Sequence, residues 1–399
     1  MKEDIFIKLI HFFKKENIEY CILGNVNEYP VKIGSDVDIV INSNQFRKVN
    51  LLVSQFLVSN NLEACNLLQH EIEGKYFVVS SVNDKECNLV MLALDFCANY
   101  MVNGNIVLTD KELLASKKLI RNNGVEFWVC SDEIAFIYYL YKKIIKQSIS
   151  KNQFEYLHKL WIQNRNVIIE QFHSRFRLEL CNKLIDVFDT GNETNLTPEF
   201  LKVLKKETQK SHKKNLKLAI LEFKRRVFRF IKPTGVIIQI LGNDETTKSD
   251  LTNLVIENAK DLEAFRSVSN LNFLKTNSMS NFKWLYFIYQ YWFIVYPQKV
   301  RSKLVVLDSC FYKLFFDTTY YNQNSNFFFN RILSKIIPKP DLFFVVDSSF
   351  KISEQKISNK NILKSKKVIF IDTKRETKII AFEIKKNIHN YLVSRYNEQ

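Results

Sequence analysis

The stretch Gly34-Ser35-Asp36-Val37-Asp38-Ile39-Val40-Ile41 constrains this chain more than any other. Its apolar run predicts a strand over 37–41. Side chains at i and i+2 of a strand project from one face, so Asp36 and Asp38 stand side by side. Val37, Ile39 and Ile41 anchor the opposite face. Two carboxylates that close repel each other unless a cation sits between them. A rigid edge carrying both is what a pair of Mg²⁺ ions requires.

The residues around this strand predict alternating short helices and strands over 1–128. An opening helix carries Ile5, Leu9, Phe12 and Phe13 on one face and leads into the apolar run Tyr20-Cys-Ile-Leu23. A helix is expected from about residue 45 to 58. Strands are expected over 76–80 and 89–94, joined by the polar turn at 82–86. The second of these is apolar on both faces, which predicts a central place in a sheet. It ends at Asp95, and an acid there is costly unless a metal or a partner takes up its charge. Asp84 and Glu86, in the preceding turn, are poorer candidates.

This arrangement resembles the DNA polymerase beta-like nucleotidyltransferase superfamily. Its pattern is an apolar residue, Gly and then Gly or Ser, followed after nine to thirteen residues by an acid-apolar-acid triplet. Leu23-Gly24-Asn25 lies at the matching distance, with Gly24 twelve positions before Asp36. Asn25 departs from the pattern, although Asn tolerates a left-handed conformation and donates hydrogen bonds. The resemblance implies two-metal nucleotidyl transfer with Mg²⁺ and a nucleoside triphosphate. Asp36 and Asp38 would bridge the ions and Asp95 would complete the set and help deprotonate an acceptor hydroxyl. Gly24, Asn25, Gly34 and Ser35 would bracket the triphosphate. Lys142, Lys143 and Lys146 fall on the next helix, where a solvated face accounts for them better than a nucleotide contact.

A helical region is expected over 129–232, opened by Ser131 as N-cap with Asp132 and Glu133 in the first turn. It ends in a basic stretch. Between 202 and 232 there are twelve Lys or Arg against Glu207 and Glu222, which is ten of the sixteen net positive charges of the 399-residue chain. A linking helix is the simplest reading, and contact with an anionic membrane face or another polyanion is the functional alternative. Pro233-Thr234-Gly235 then breaks the pattern.

Over 233–399 the strands 236–241, 304–307, 342–346 and 368–371 alternate with helical segments, and a closing helix begins near Glu376. That alternation predicts a parallel sheet. The first strand runs into Gly242, with Thr247, Lys248, Ser249 and Asp250 beyond it. Gly242, Lys248 and Ser249 fit a phosphate-binding loop, but its second glycine is replaced by Thr247, whose Cβ crowds the backbone. The segment resembles the thymidylate kinase-like P-loop family in its Asp308-Ser309 and Pro340-Asp341 positions, without the arginine of the first. No Arg follows Asp347 through Lys367. The implied second domain is a P-loop fold with a degenerate catalytic site.

The fold class expected is thus α/β and α+β, with a mixed-sheet nucleotidyltransferase domain, a helical extension and a parallel-sheet P-loop domain. The two-domain order resembles bacterial proteins associated with surface-polysaccharide synthesis, which implies a glycan or sugar as one kind of hydroxyl acceptor. The alternatives are a phosphotransferase acting through the C-terminal domain and a non-enzymatic nucleotide-binding scaffold. A nucleotidyltransferase of the toxin type, modifying RNA or protein, is a further one that only the basic stretch favours.

Seven scattered cysteines form no Cys-x-x-Cys pair and read as reduced, buried thiols. The six histidines show no metal-ligand spacing. No nucleic-acid-binding module signature is present, so no sequence-specific nucleic acid is expected. The charged, amphipathic N-terminus does not read as a signal peptide. The apolar run from Trp284 to Val295 spans roughly 18 Å as a helix, short of the ~30 Å hydrocarbon core. A cytoplasmic protein, in peripheral contact with a membrane at most, is the expectation. Phe327-Phe-Phe329 reads as the start of a core helix rather than a base-stacking platform.

Overall fold

The computed structural model describes residues 2–102, 105–210, 216–242, 245–272, 288–309, 339–346 and 367–398. Phe327-Phe-Phe329, Cys310, His212, Lys213, Lys214, the first residues of the 284–295 run and the segment 347–366 lie outside them. The chain divides into two compact units. The first comprises Met1–Leu62, Leu68–Phe77 and Leu92–Arg226, and the second comprises Glu63–Leu67, Val78–Met91 and Val227–Gln399.

The first unit is built on strands of a mixed seven-stranded sheet. Its strands are β1 (Tyr20–Leu23), β2 (Asp36–Ile41), β3 (Glu63–Glu71), β4 (Gly74–Asn83), β5 (Asn88–Cys97), β8 (Lys118–Asn122) and β9 (Val125–Val129). A separate two-stranded ribbon supplies β6 (Tyr100–Val102) and β7 (Asn105–Leu108). The order across the large sheet is β3-β4-β5-β2-β1-β9-β8. Strand β1 runs antiparallel to β2, and β2 parallel to β5.

One face of this sheet is covered by α1 (Lys2–Lys15) and α3 (Val49–Asn60), with the short α2 (Ser43–Phe46) between β2 and α3. The single helix expected over 45–58 is therefore two, broken at Arg47-Lys48. Phe12 of α1 meets Phe56 of α3, and Phe13 meets Phe96 of β5. Ile41 of β2 lines the same apolar space. Burying such side chains contributes about 1.5–3 kcal/mol each, and it fixes the other face of β2 and β5 for the acids.

That other face receives the helices. After α4 (Asp110–Ala115), these are α5 (Asp132–Lys146), α6 (Lys151–Arg175), α7 (Leu178–Thr190) and α8 (Pro198–Lys210), and α9 (Leu216–Ile231) follows them in the chain. The core runs without a break from Cys21, Leu23 and Val40 of the sheet into Phe136 of α5, Trp161 and Phe172 of α6, and Phe188 of α7. Helix α5 is thereby pressed against β1 and β2. Ser131 stands at its N-cap with extended dihedrals, but its side chain makes no capping bond. Its hydroxyl pairs instead with that of Ser116 at 2.7 Å.

The second unit holds a five-stranded, all-parallel sheet: β10 (Val236–Gly242), β11 (Val268–Asn272), β12 (Leu304–Ser309), β13 (Leu342–Val346) and β14 (Lys367–Ile371), in the order β11-β12-β10-β13-β14. Helices α10 (Glu245–Ala259) and α11 (Thr377–Asn397) belong to it. The continuous burial of β10, β12 and β13 is what a parallel sheet covered on both faces demands.

Gly235 shows why the break before β10 needs glycine. A Cβ there would run into the carbonyl oxygens of Lys299 and Lys303, while the Gly235 N–H donates to Lys299 O at 3.0 Å. Among the described residues no helix is long and apolar enough to cross a membrane. The six cysteines among them are all free thiols.

Candidate active site

Parallel pairing of β2 with β5 puts Asp38 opposite Asp95 and Asp36 opposite Ala93. Because parity is shared along a strand, all three acids project from the helix-bearing face. One carboxylate oxygen from each lies within 4.8 Å of the others. Among the described residues this is the one group of three or more acidic, His or Cys side chains able to converge on a single cation.

The electrostatics show how poorly satisfied this cluster is. Asp95 is largely enclosed, its side chain 21% exposed. Burial, then the charge of Asp38 and of Asp36, holds its carboxyl well above the usual carboxylate range, with Lys142 opposing. Its buried Oδ1 accepts no hydrogen bond. His70 Nε2, at the end of β3, comes to 3.5 Å of that oxygen, too far for a good hydrogen bond. A buried carboxylate oxygen with no donor, facing two more carboxylates, is a site missing positive charge. The three residues fit a hard divalent cation, which takes oxygen ligands from Asp and Glu.

Lys142 supplies part of that charge. Its ammonium lies 2.7 Å from Asp38 Oδ2 and 4.7 Å from the ring centre of Tyr138. Burial acts to lower its pKa, but Asp38, Asp95 and Asp36 outweigh burial and leave it raised. The expected solvated face is thus corrected. Lys142 turns into the site, and Lys143 is buried beside Tyr139, its pKa lowered to about 8 by burial and by Lys146 and Lys142. Of the three, Lys146 alone keeps the exposed place. The lysine spacing on α5 carried this signal, but reading it required knowing which face of α5 meets β2.

The turns around the acids are arranged as follows. Gly24, directly after β1, has φ +93°. A side chain there would be strained whatever the space. The left-handed position thus falls on Gly24, and Asn25 needs no such conformation. The Asn25 Oδ1 accepts from the Asn27 N–H at 3.3 Å. Ser35 donates to Asp36 Oδ1 at 2.9 Å, and exposed Gly34 precedes it. The Tyr29 hydroxyl donates to the Asp36 carbonyl at 3.3 Å.

A polar cavity of about 130 Å³ is lined by His70, Glu71, Met101, Glu222, Arg225 and Arg226 among others. Burial lifts the Glu71 carboxyl to about 7, against the lowering effect of a Met101 backbone hydrogen bond and Arg225. Sequence reasoning missed both His70 and Glu71. They sit on β3, whose segment Glu-Ala-Cys-Asn-Leu-Leu-Gln-His-Glu has almost no β-branched or aromatic residue to mark a strand.

In the second unit, Gly242 closes β10 while Lys248 and Ser249 lie on α10. Lys248 is buried and Ser249 exposed. Residues 243–244 of the connecting loop lie outside the described residues. Asp308 and Ser309 end β12. Asp341 has a structural setting. It accepts from the Ile237 N–H at 2.8 Å, the Tyr391 hydroxyl at 2.8 Å and the Lys299 ammonium at 2.8 Å.

No protein-family model matches this chain, and no curated protein matches it. Among solved structures, two Helicobacter pylori proteins share some likeness with it. One is described provisionally as a nucleotidyltransferase, at 10% identity and a TM-score of 0.26, covering 53% of this chain and 96% of that one. The other is JHP933, at 11% identity and a TM-score of 0.26, covering 53% and 93%. Likeness at that level decides nothing about this chain, and the functional reading rests on the geometry of the acids.

Proposed function

We propose that the first unit is a Mg²⁺-dependent nucleotidyltransferase domain, moving a nucleoside monophosphate from a triphosphate to a hydroxyl acceptor. The observation that carries this reading is the convergence of Asp36, Asp38 and Asp95 on one face of paired strands, with an orphaned oxygen on Asp95. These residues would hold the ion, which when bound would neutralise triphosphate charge and favour an ionised acceptor hydroxyl. The turn at Gly24-Asn25 and the Gly34-Ser35 edge flank the acids in sequence and would bracket the triphosphate. Lys142 on the acid face would help hold an anionic phosphate. Asp95 would help take the acceptor proton. The acceptor oxygen attacks the α-phosphorus and pyrophosphate leaves.

The second unit we read as a P-loop-like domain without kinase activity. Its all-parallel sheet with the strand-to-helix order β10–α10 supports the likeness, and Thr247 and Asp250 argue against turnover. A role in surface-glycan assembly, with a sugar as acceptor, follows from the resemblance of the two-domain order alone.

Pyrophosphate release from each nucleoside triphosphate, with Mg²⁺ and with sugar or polyol acceptors, tests the reading together with calorimetric binding of the same nucleotides. Mg²⁺-dependent binding that disappears in Asp36→Asn supports it. Nucleotide binding that is indifferent to Mg²⁺ and to Asp36 would overturn it and leave a nucleotide-binding scaffold.

A further inference from the structure

The basic stretch singled out in the sequence has a structural partner that the proposed chemistry does not use. The last turns of α9 expose large apolar side chains to solvent: Phe230 and Ile231 are 51% and 67% exposed, and Val227 and Phe228 lie open beside them. The helix running through Tyr291–Val295 into Tyr296–Val300 adds Phe293 at 70%, with Tyr289 and Ile294. The two segments adjoin. The Phe230 and Tyr296 rings meet edge to face at 5.1 Å, and the Tyr296 hydroxyl donates to the Phe230 carbonyl at 2.7 Å. Tyr289 stacks on Phe293 at 5.1 Å. Along α9 the exposure continues through Phe223.

The charges on α9 show what such a face is suited to meet. Lys224, Arg226 and Lys232 are exposed between the apolar positions, and the Lys232 ammonium lies 5.6 Å from the centre of the Phe228 ring. Glu222 is the one acid on the helix, and it is already engaged by Arg225 and Arg226. Monomeric soluble proteins seldom leave contiguous apolar area of this kind open. Aromatic and aliphatic side chains interleaved with the exposed Lys224 and Lys232 match the interface of an anionic bilayer. Rings enter the headgroup boundary there while Lys and Arg meet lipid phosphates and carboxylates. An apolar protein partner would not call for the cations, and nucleic acid would not call for the aliphatic residues.

We infer that the C-terminal half of α9, with the segment from Tyr289 to Ile294, is a peripheral docking face for an anionic lipid bilayer. It would hold the protein at the membrane surface without crossing it. The inference does not depend on the nucleotidyltransferase reading.

The experiment is co-sedimentation of the full-length protein with vesicles of phosphatidylcholine, with and without phosphatidylserine, at low and high salt. The expected result is binding to the phosphatidylserine vesicles, much weaker binding to phosphatidylcholine alone, and loss of binding at high salt. Phe230→Ser with Phe293→Ser should weaken binding at least about tenfold, because each removes buried ring area from the interface. Lys224→Glu with Lys232→Glu should weaken it comparably and alters only exposed side chains. Circular dichroism melts check that the variants fold. Absence of binding to the anionic vesicles would overturn the inference. So would binding that both double variants leave intact, or concentration-dependent dimerisation in light scattering that the apolar substitutions abolish while vesicle binding persists.

Discussion

Asp38 and Asp95 stand opposite each other as register partners on the parallel strands β2 and β5. Fifty-seven residues apart in sequence, they become adjacent through one strand pairing. That adjacency is unfavourable in itself, since burial and Asp38 both raise the Asp95 pKa. A divalent cation should therefore stabilise the fold. At a hundred times its dissociation constant, Mg²⁺ with a nucleoside triphosphate should add about 2.7 kcal/mol, read as a rise in melting temperature. Asp36→Asn should remove that rise while leaving the metal-free protein as stable as before, or more so, because one of three like charges is gone.

Lys142→Met should act in the opposite sense. The ammonium at 2.7 Å from Asp38 is partly enclosed, and its loss leaves the carboxylates with no counter-charge. A destabilisation of about 1–3 kcal/mol is expected for the metal-free protein. Added Mg²⁺ should recover more stability in this variant than in the parent. Thermal denaturation across a Mg²⁺ series measures both. A variant as stable as the parent at every concentration would show that Lys142 does not balance the acids.

Phe136 sits at the centre of the helical part of the first unit, fully buried against Trp161, Phe172 and Phe188. Phe136→Ala should cost about 3–5 kcal/mol, the transfer of the ring plus the cavity it leaves. A denaturant titration followed by tryptophan fluorescence reports it. A cost under about 1 kcal/mol would mean that α5 can be repacked without harm to its alignment on the sheet.

In the second unit the pH dependence has a definite sign. Burial acts to raise the Asp341 pKa, but Lys299 and the hydrogen bonds from Ile237 and Tyr391 outweigh it, so the carboxyl is held below its ordinary value. A depressed carboxylate contributes stability that is present above the unfolded value, about 3.9. That stability is lost as pH falls through the folded pKa. The parent should therefore lose stability on acidification below about pH 4 more steeply than Asp341→Asn. Near neutral pH the variant should be destabilised by about 3–5 kcal/mol, because Lys299, with its side chain only 14% exposed, is left without its carboxylate partner. Urea unfolding at several pH values separates the two effects.

Phosphoryl transfer from ATP to thymidylate should remain far below about 1 s⁻¹, the low end for kinases. On the P-loop reading proposed above, Thr247 would crowd the loop backbone, the charge of Asp250 would repel phosphate, and Asp308 is followed by Ser309 rather than Arg. A coupled assay of the full chain decides this. Turnover at or above that rate would move the activity of the protein to its second unit.

The strand bearing Asp36 and Asp38, the apolar faces of α1 and β2, and strands β10, β12, β13 and β14 of the second unit were legible from residue order, whereas β11 was not. Period-two alternation and continuous burial are local patterns that a single segment displays. Asp95 was legible as an expensive acid on a buried strand. Its place opposite Asp38 came from the pairing of β2 with β5, which no local pattern specifies. Strand β3 escaped notice because its residues carry little strand preference, and His70 and Glu71 went with it. Lys142, Lys143 and Lys146 look alike in sequence. Only the packing of α5 on the sheet sent the first to Asp38, buried the second beside Tyr139 and left the third in water. Side-chain period is written along the chain, whereas the choice of neighbours is made by the whole core at once.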